Sequence, residues 1–442
     1  MKFQSQRVAY PYFVVALLLF VLQLVFGLYL AFNYFFTVPQ AVVDVFPFAT
    51  ARAMHTNLLV LWLLLGFMGA TFYMVPEETK TDLAWPRMAY AQLVLLAGTG
   101  VVALVGFVFG WTQGRPLLEI PTPLDFVVVA CALLFLANVG VTLLRARRWN
   151  AVQGTLLGGL VFLALMYLFG MPFYRNLAMD WYYWWWVIHL WVEGAWELVT
   201  AAIAAFLIIK LTGVDRRVAE KWLYVQLGLF LFTGIAGTGH HYYWLGAPKA
   251  WLWIGGIFSA LEPVPVLLML VDTIRAMRER KQPLEPRLTW IFMVAMAVLH
   301  FVGAGVFGLA HTLPQINYYT HGSQVTVSHG HLAFFGAYAL VNLTFFYFAI
   351  PRLRGHPGAT YEERGGRTGF WLMVTGVLGL ALAFAVAGVL QAYLERYLGM
   401  PYMLAQQPIR FWMACVFGFG LVALGGVVHT TVHLLRLRPP AA

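Results

Sequence analysis

Twelve stretches of this chain are long and apolar enough to cross a bilayer, and that pattern constrains its fold more than any other feature. A helix needs about 20 predominantly apolar residues to traverse roughly 30 Å of hydrocarbon. Such runs fall near 9–36, 51–75, 88–110, 124–144, 154–171, 181–210, 220–245, 250–273, 289–311, 325–350, 368–393 and 409–434. Inside lipid the backbone must satisfy its own hydrogen bonds, so each run is read as a helix and the fold as an all-α, polytopic membrane protein. Composition agrees, since 10% of residues are charged against about a quarter in soluble domains. Connections are short, and no linker, low-complexity segment or internal repeat divides the chain. Residues 1–442 are therefore read as one integral membrane domain.

An even number of spans puts both termini on one side, and the basic residues indicate which. Of 28 Lys and Arg, only Arg52, Arg115, Arg175, Lys249, Arg396 and Arg410 fall in the loops opposite the termini. Both ends are expected in the cytoplasm. The net charge of +10 is dispersed over short loops, which argues for orientation in membrane lipid and against a nucleic-acid face. Cys131 and Cys415 lie inside apolar runs without a C-x-x-C or C-x-x-C-H pattern, so they are expected to pack, and covalent haem c is not expected. The first apolar run is too long for a cleavable signal peptide and reads as a spanning helix. The aromatic run Trp181-Tyr-Tyr-Trp-Trp-Trp186 is explained by an interfacial belt.

Of the twelve histidines, all but His356 and His433 lie in or close to these spans, and six of them, His55, His189, His240, His241, His329 and His331, fall in clusters. A lone membrane histidine is commonly a hydrogen-bonded packing residue; six in clusters need another account. In Ser328-His329-Gly330-His331 the two imidazoles are about 200° apart around a helix, so they face opposite ways and suit two axial ligation sites better than one ion. Gly330 between them suits close approach of a flat macrocycle. His189, Glu193 and Glu197 recur at four-residue steps, which puts them on one helical face. Buried carboxylates in hydrocarbon must be paired, protonated or metal-bound, so the pattern is read as functional. The adjacent His240 and His241 can converge with His189 on one ion if the helix is locally unwound, and a carboxylate from Glu193 moves the expected metal from copper towards iron, with zinc chemically open. His55, near the start of the second span, lies at the same membrane depth as His329 and His331. Glu262, alone in the middle of the eighth span, is a candidate proton donor; the bland reading is a carboxyl that stabilises the kink at Pro263 and Pro265.

Taken together these motifs resemble the large, catalytic subunit of the haem-copper oxidase superfamily, and specifically of cytochrome c-dependent nitric oxide reductases, over essentially all twelve spans. The resemblance implies that His55 and His331 ligate a low-spin haem b, that His329 is proximal to a high-spin haem b3, and that His189, His240, His241 and Glu193 hold a non-haem iron. The four-residue position after His189 discriminates: typical aa3-type oxygen reductases carry tyrosine there, whereas this chain has Glu193. Glu197 and Glu262 correspond to acidic residues implicated in tuning the iron and delivering protons. Glu119 in Leu-Glu-Ile-Pro-Thr resembles an acidic residue that helps bind calcium beside the haem propionates. Without an extended amino-terminal segment the chain resembles the form that takes electrons from a membrane-anchored cytochrome c subunit, in the bacterial cytoplasmic (inner) membrane. The implied reaction is reduction of two NO to N2O and water. A cbb3-like oxygen reductase is the nearest alternative, and a colourless transporter or proton channel using the same groups as a relay is a second.

Overall fold

The computed structural model describes residues 3–280, 287–356 and 361–437. Lys2, Lys281 and Arg438, three of the basic residues in the orientation argument, lie outside the described residues. Among those described there are helices and no strand. Twelve helices are long and apolar enough to span a membrane: α1 Gln4–Phe32, α2 Phe48–Thr79, α3 Pro86–Val108, α4 Thr122–Leu144, α5 Ala151–Phe169, α6 Leu177–Thr212, α7 Arg216–His241, α8 Lys249–Glu279, α9 Arg287–Thr312, α10 Gln324–Leu353, α11 Arg364–Tyr397 and α12 Tyr402–Arg436. The expected order and number of spans hold, with ends displaced by a few residues.

The helix ends follow local chemistry. The Asn150 side chain accepts from the Gln153 amide at the start of α5, Asn176 from Met179 before α6, Asp215 from Arg217 before α7 and Ser323 from Val325 before α10. Each such cap satisfies an amide that the helix itself cannot. At the far end of α6, Gly213 adopts φ 64°, a left-handed stop that glycine takes without side-chain strain.

Three helices sit at the centre. α2, α6 and α10 contact one another, and 83, 83 and 89% of their most apolar stretches are enclosed by the rest of the bundle. Phe67, Trp196 and Tyr338, one ring from each, meet edge to face with centroids 5.2–6.2 Å apart, a favoured geometry for aromatic pairs. About two turns further along the three helices, Phe345 of α10 packs on Phe206 of α6 and Tyr73 of α2. The remaining helices turn larger apolar faces outward, as lipid as solvent permits.

Several central helices are not regular. Wide π turns interrupt α6 at Leu190–Ala195, α9 at Phe301–Phe307, α10 at Phe335–Ala339 and α11 at Tyr393–Tyr397. Such turns insert a residue and re-aim the side chains around it. α7 ends in a tight 3-10 turn over Thr238–His241, and α8 breaks between Ser259 and Val264, where Pro263 removes an amide donor.

The Trp181–Trp186 run does more than mark an interface. Trp184 is buried and lies 4.7 Å under the Arg115 guanidinium, while Trp185 stacks on His241 at 5.3 Å and 9°. Arg115, 5% exposed, donates to the carbonyls of Gly170 and Pro172 at 2.5 and 2.8 Å and to Asp180 at 2.6 Å. It thereby ties the α3–α4 loop to the start of α6.

Candidate functional site

His189, Glu193, His240 and His241 converge from α6 and the end of α7, with one ligand atom from each lying within 4.8 Å of all the others. Glu193 sits inside the π turn, which swings its carboxylate into the cluster. Its Oε1 is 3.0 Å from His241 Nε2 and 3.4 Å from His240 Nε2, and its Oε2 is 3.4 Å from His189 Nδ1. Ser259 on α8 donates to Oε2 at 2.9 Å. The Nε2 atoms of His240 and His241 face each other at 2.9 Å. Two neutral imidazoles can do that only around a shared proton or cation. Edges of roughly 3.0–3.4 Å are those of a coordination polyhedron with bonds of about 2.1 Å. The donor set, three nitrogens and one carboxylate, therefore fits a borderline to hard transition metal.

The geometry differs from the sequence expectation in two respects. The adjacent histidines meet in a stretch where α7 is wound into a tight 3-10 turn, not unwound. In addition, the π turn separates Glu193 from Glu197, which do not share one face of a regular helix. Glu193 joins the three histidines; Glu197, 4% exposed, accepts instead from His300 Nε2 at 2.7 Å and lies 3.2 Å from the Tyr338 hydroxyl. Glycines make room for the cluster. A Cβ on Gly237 would come within 3.0 Å of His189 Nε2, and one on Gly255 within 2.1 Å of the His240 backbone nitrogen.

Glu262 occupies the break in α8. It is 4% exposed, with its Oε1 4.0 Å from His189 Nε2 and its carboxyl beside the Thr233 hydroxyl and within electrostatic range of Glu193 and Glu197. One oxygen on each of Glu197 and Glu262 is buried with no hydrogen-bonding partner.

The other three histidines share a different signature. His55 Nδ1 bonds to the Gln23 carbonyl at 2.8 Å, His331 Nδ1 to Val327 at 2.8 Å and His329 Nδ1 to Gly303 at 3.1 Å. A carbonyl only accepts, so each Nδ1 carries the proton and each Nε2 presents a lone pair, the tautomer that metal ligation requires. The His55 and His331 rings lie 6.0 Å apart with planes at 28°. Two imidazoles bonded through Nε2 to opposite faces of one iron at about 2 Å would have centres roughly 6 Å apart, so the pair fits a haem held between α2 and α10. His329 points to the other side of α10, as the two-residue spacing requires, with Gly308 against its ring. A methyl group on Gly330 would touch no protein atom, so no protein neighbour demands the glycine.

Glu119 lies in the loop before α4, buried, with Asn57 Nδ2 donating to its Oε2 at 2.6 Å and Arg52 3.3 Å from its Oε1. Burial pushes its carboxyl pKa above the ordinary value despite those partners. Asn57 is two residues from His55 on α2, so Glu119 lies at the same depth as His55 but is held by a side chain that leaves another face of the helix. Sequence reasoning missed His300, Tyr338 and Ser259, and also His311, whose ring is held between Thr320 and Thr326 and lies 5.9 Å from that of His329. A buried histidine in α9 was visible in the sequence; its partner was not.

Comparison with known proteins accords with this arrangement. The family model described as cytochrome c and quinol oxidase polypeptide I matches residues 7–423. The chain is 44% identical to a nitric oxide reductase subunit from Stutzerimonas stutzeri over 448 aligned positions, covering 96% of this chain and 94% of that protein. An all-helical bundle of twelve apolar spans, with histidines converging on its three central helices, thus belongs to the cytochrome c and quinol oxidase polypeptide I family of the haem-copper oxidase superfamily.

Proposed function

We propose that the chain is the catalytic subunit of a respiratory nitric oxide reductase, reducing two NO to N2O and water with two electrons and two protons. The observation that carries this reading is Glu193, whose two oxygens reach all three clustered histidines. A hard carboxylate in that position suits iron and disfavours cuprous copper. The similarity to a nitric oxide reductase subunit at 44% identity supports it.

His189, His240, His241 and Glu193 would hold a non-haem iron; His329 would ligate the high-spin haem b3, and His55 with His331 the low-spin haem b. Held by these residues, the haem iron and the non-haem iron would supply the two electrons and keep the two NO molecules close, which is chiefly a proximity effect. The rest falls to the chain. Ser259 holds Glu193 Oε2 and so fixes the carboxylate's rotation. Glu262, whose Oε1 lies 4.0 Å from His189 Nε2, and Glu197 would hand over protons, each having one buried oxygen with no hydrogen-bonding partner. Glu119 supplies one carboxylate towards a calcium ion. Calcium takes 6–8 oxygens, so most of its shell would come from haem propionates and a partner. We assign that partner as a membrane-anchored cytochrome c subunit, and the location as the bacterial cytoplasmic membrane with both termini inside.

The deciding experiment is elemental analysis of the purified protein with a pyridine haemochrome assay and an NO electrode. Two b-type haems, a third iron and NO consumption per chain are expected. One copper per chain with rapid oxygen turnover and no NO consumption would replace this reading with an oxygen reductase, and a colourless protein would remove both.

A further inference from the structure

Glu197 is held in an unusual way. His300 Nε2 and the Tyr338 hydroxyl both address the same oxygen, Oε1, at 2.7 and 3.2 Å, while Oε2 is buried and has no partner. Neither neighbour belongs to the histidine cluster: His300 ends the regular part of α9, just before its π turn, and Tyr338 lies inside the π turn of α10. His300 is fully buried and its Nδ1 is unpartnered, so its contact with Glu197 is the bond that determines its orientation. Tyr338 also donates to the Val192 carbonyl at 2.7 Å. Val192 precedes Glu193 within the π turn of α6. One phenol therefore touches both the turn that aims Glu193 and the carboxyl of Glu197. It carries one hydrogen for two acceptors, and the Val192 carbonyl is the nearer.

We infer that His300 and Tyr338 are positioning residues for Glu197: by fixing Oε1 they set the rotation of the carboxyl group and leave Oε2 as its one atom free to exchange a proton. Tyr338 at the same time braces the π turn that presents Glu193. The physical reason is geometric. A carboxyl with both oxygens free rotates about its last bond, and proton transfer needs donor and acceptor within about 2.6–3.2 Å. The hydrogen bond from His300, with the Tyr338 hydroxyl held against the same oxygen, restrains that rotation. The surroundings give the arrangement stiffness, since the Tyr338 ring is boxed by Phe67, Trp196 and Phe334. The kinetic part of this inference rests on the nitric oxide reductase reading; the spectroscopic part does not.

The test uses the purified, haem-loaded protein with His300→Leu, His300→Gln and Tyr338→Phe. Two quantities are read: kcat and KM for NO, and the infrared band of Glu197 in the redox-difference spectrum, assigned by its loss in Glu197→Gln. His300→Leu and Tyr338→Phe are expected to lower kcat by about 10- to 100-fold with little change in KM and to move the Glu197 band. His300→Gln, which restores a donor, is expected to recover most of the rate and the band position. An unmoved band with a wild-type rate in both donor-less variants overturns the inference. So does equal impairment by Leu and Gln at position 300, which would mean the ring's shape matters and its hydrogen bond does not. If His300→Leu fails to load haem, Tyr338→Phe decides alone by the same two readouts. A wild-type protein that carries its haems but consumes no NO would defeat the proposed function, while the Glu197 band would still test the positioning.

Discussion

Gly255→Ala is the smallest change that should dismantle the metal cluster. A Cβ at that position would lie 2.1 Å from the His240 nitrogen, 2.5 Å from the Gly239 carbonyl carbon and 2.7 Å from the Gly239 Cα. All three are backbone atoms, so no flexible side chain can swing away. Ordinary contact begins at 3.4 Å, and α8 and the end of α7 must therefore part by about 1.3 Å. The α7 backbone pressed aside carries His240 and His241, two of the four clustered residues. A misplacement of about 1 Å costs on the order of 100-fold in rate, and overpacking of this kind costs about 1–3 kcal/mol in stability. The variant should bind its two haems, lose most of the third iron and consume NO about 100-fold more slowly. Matched controls are Gly98→Ala in α3 and Gly154→Ala in α5, where a Cβ would meet nothing within 4 Å; both should behave as wild type. Iron per chain, pyridine haemochrome and an NO electrode give the three readouts. A Gly255→Ala protein with full iron and full rate would refute the reasoning from close approach.

Other consequences are equally direct. Glu193→Ala should leave both haems in place while iron at the cluster and NO consumption fall together, which metal analysis and the electrode check. His331→Leu should remove the low-spin haem alone, halving the haemochrome value, and His55→Leu should do the same because the two rings share one site. Glu119→Gln should lower calcium per chain without abolishing the third iron, as read by elemental analysis. Arg115→Ala removes three hydrogen bonds and leaves Asp180 without its cation, at a cost of about 3 kcal/mol; thermal unfolding in detergent should shift to lower temperature.

The helices were legible because hydropathy in lipid is close to a length measurement: all twelve apolar runs correspond to helices. The histidine sets were legible too, since His329 and His331 at a spacing of two must diverge, and the His240–His241 pair was foreseen to meet His189. What the linear pattern hid was helical irregularity. A four-residue step implies one shared face only if the helix is regular, and the π turn at Leu190–Ala195 breaks that premise, sending Glu193 and Glu197 to different partners. Nothing in the sequence around Val192 announces the inserted residue. His300 and Tyr338 were passed over for a related reason: each is unremarkable on its own helix, and their meaning comes from a carboxyl some hundred or more positions away, His300 being 103 and Tyr338 141 residues from Glu197. The aromatic run before His189 was read as a membrane belt because composition cannot distinguish a ring facing headgroups from one stacked on an imidazole.

The enclosure of α6 and α10 has a consequence for how the protein is made. These helices, with α7, have the lowest mean hydropathy of the twelve, because histidines and glutamates replace apolar residues where the chemistry lies. The insertion machinery passes a segment into lipid according to its own apolarity, so they are the poorest independent passengers. α10 leaves the ribosome after nine others, and it packs both on helices already made and on α11, which follows it. The paired rings of His55 and His331 come from the second and tenth helices, so they can meet only once most of the bundle is in the membrane. On the proposed assignment of these rings to a haem, its loading falls late in biogenesis, after translation has passed α10, and a haem delivered earlier would find only half of its site.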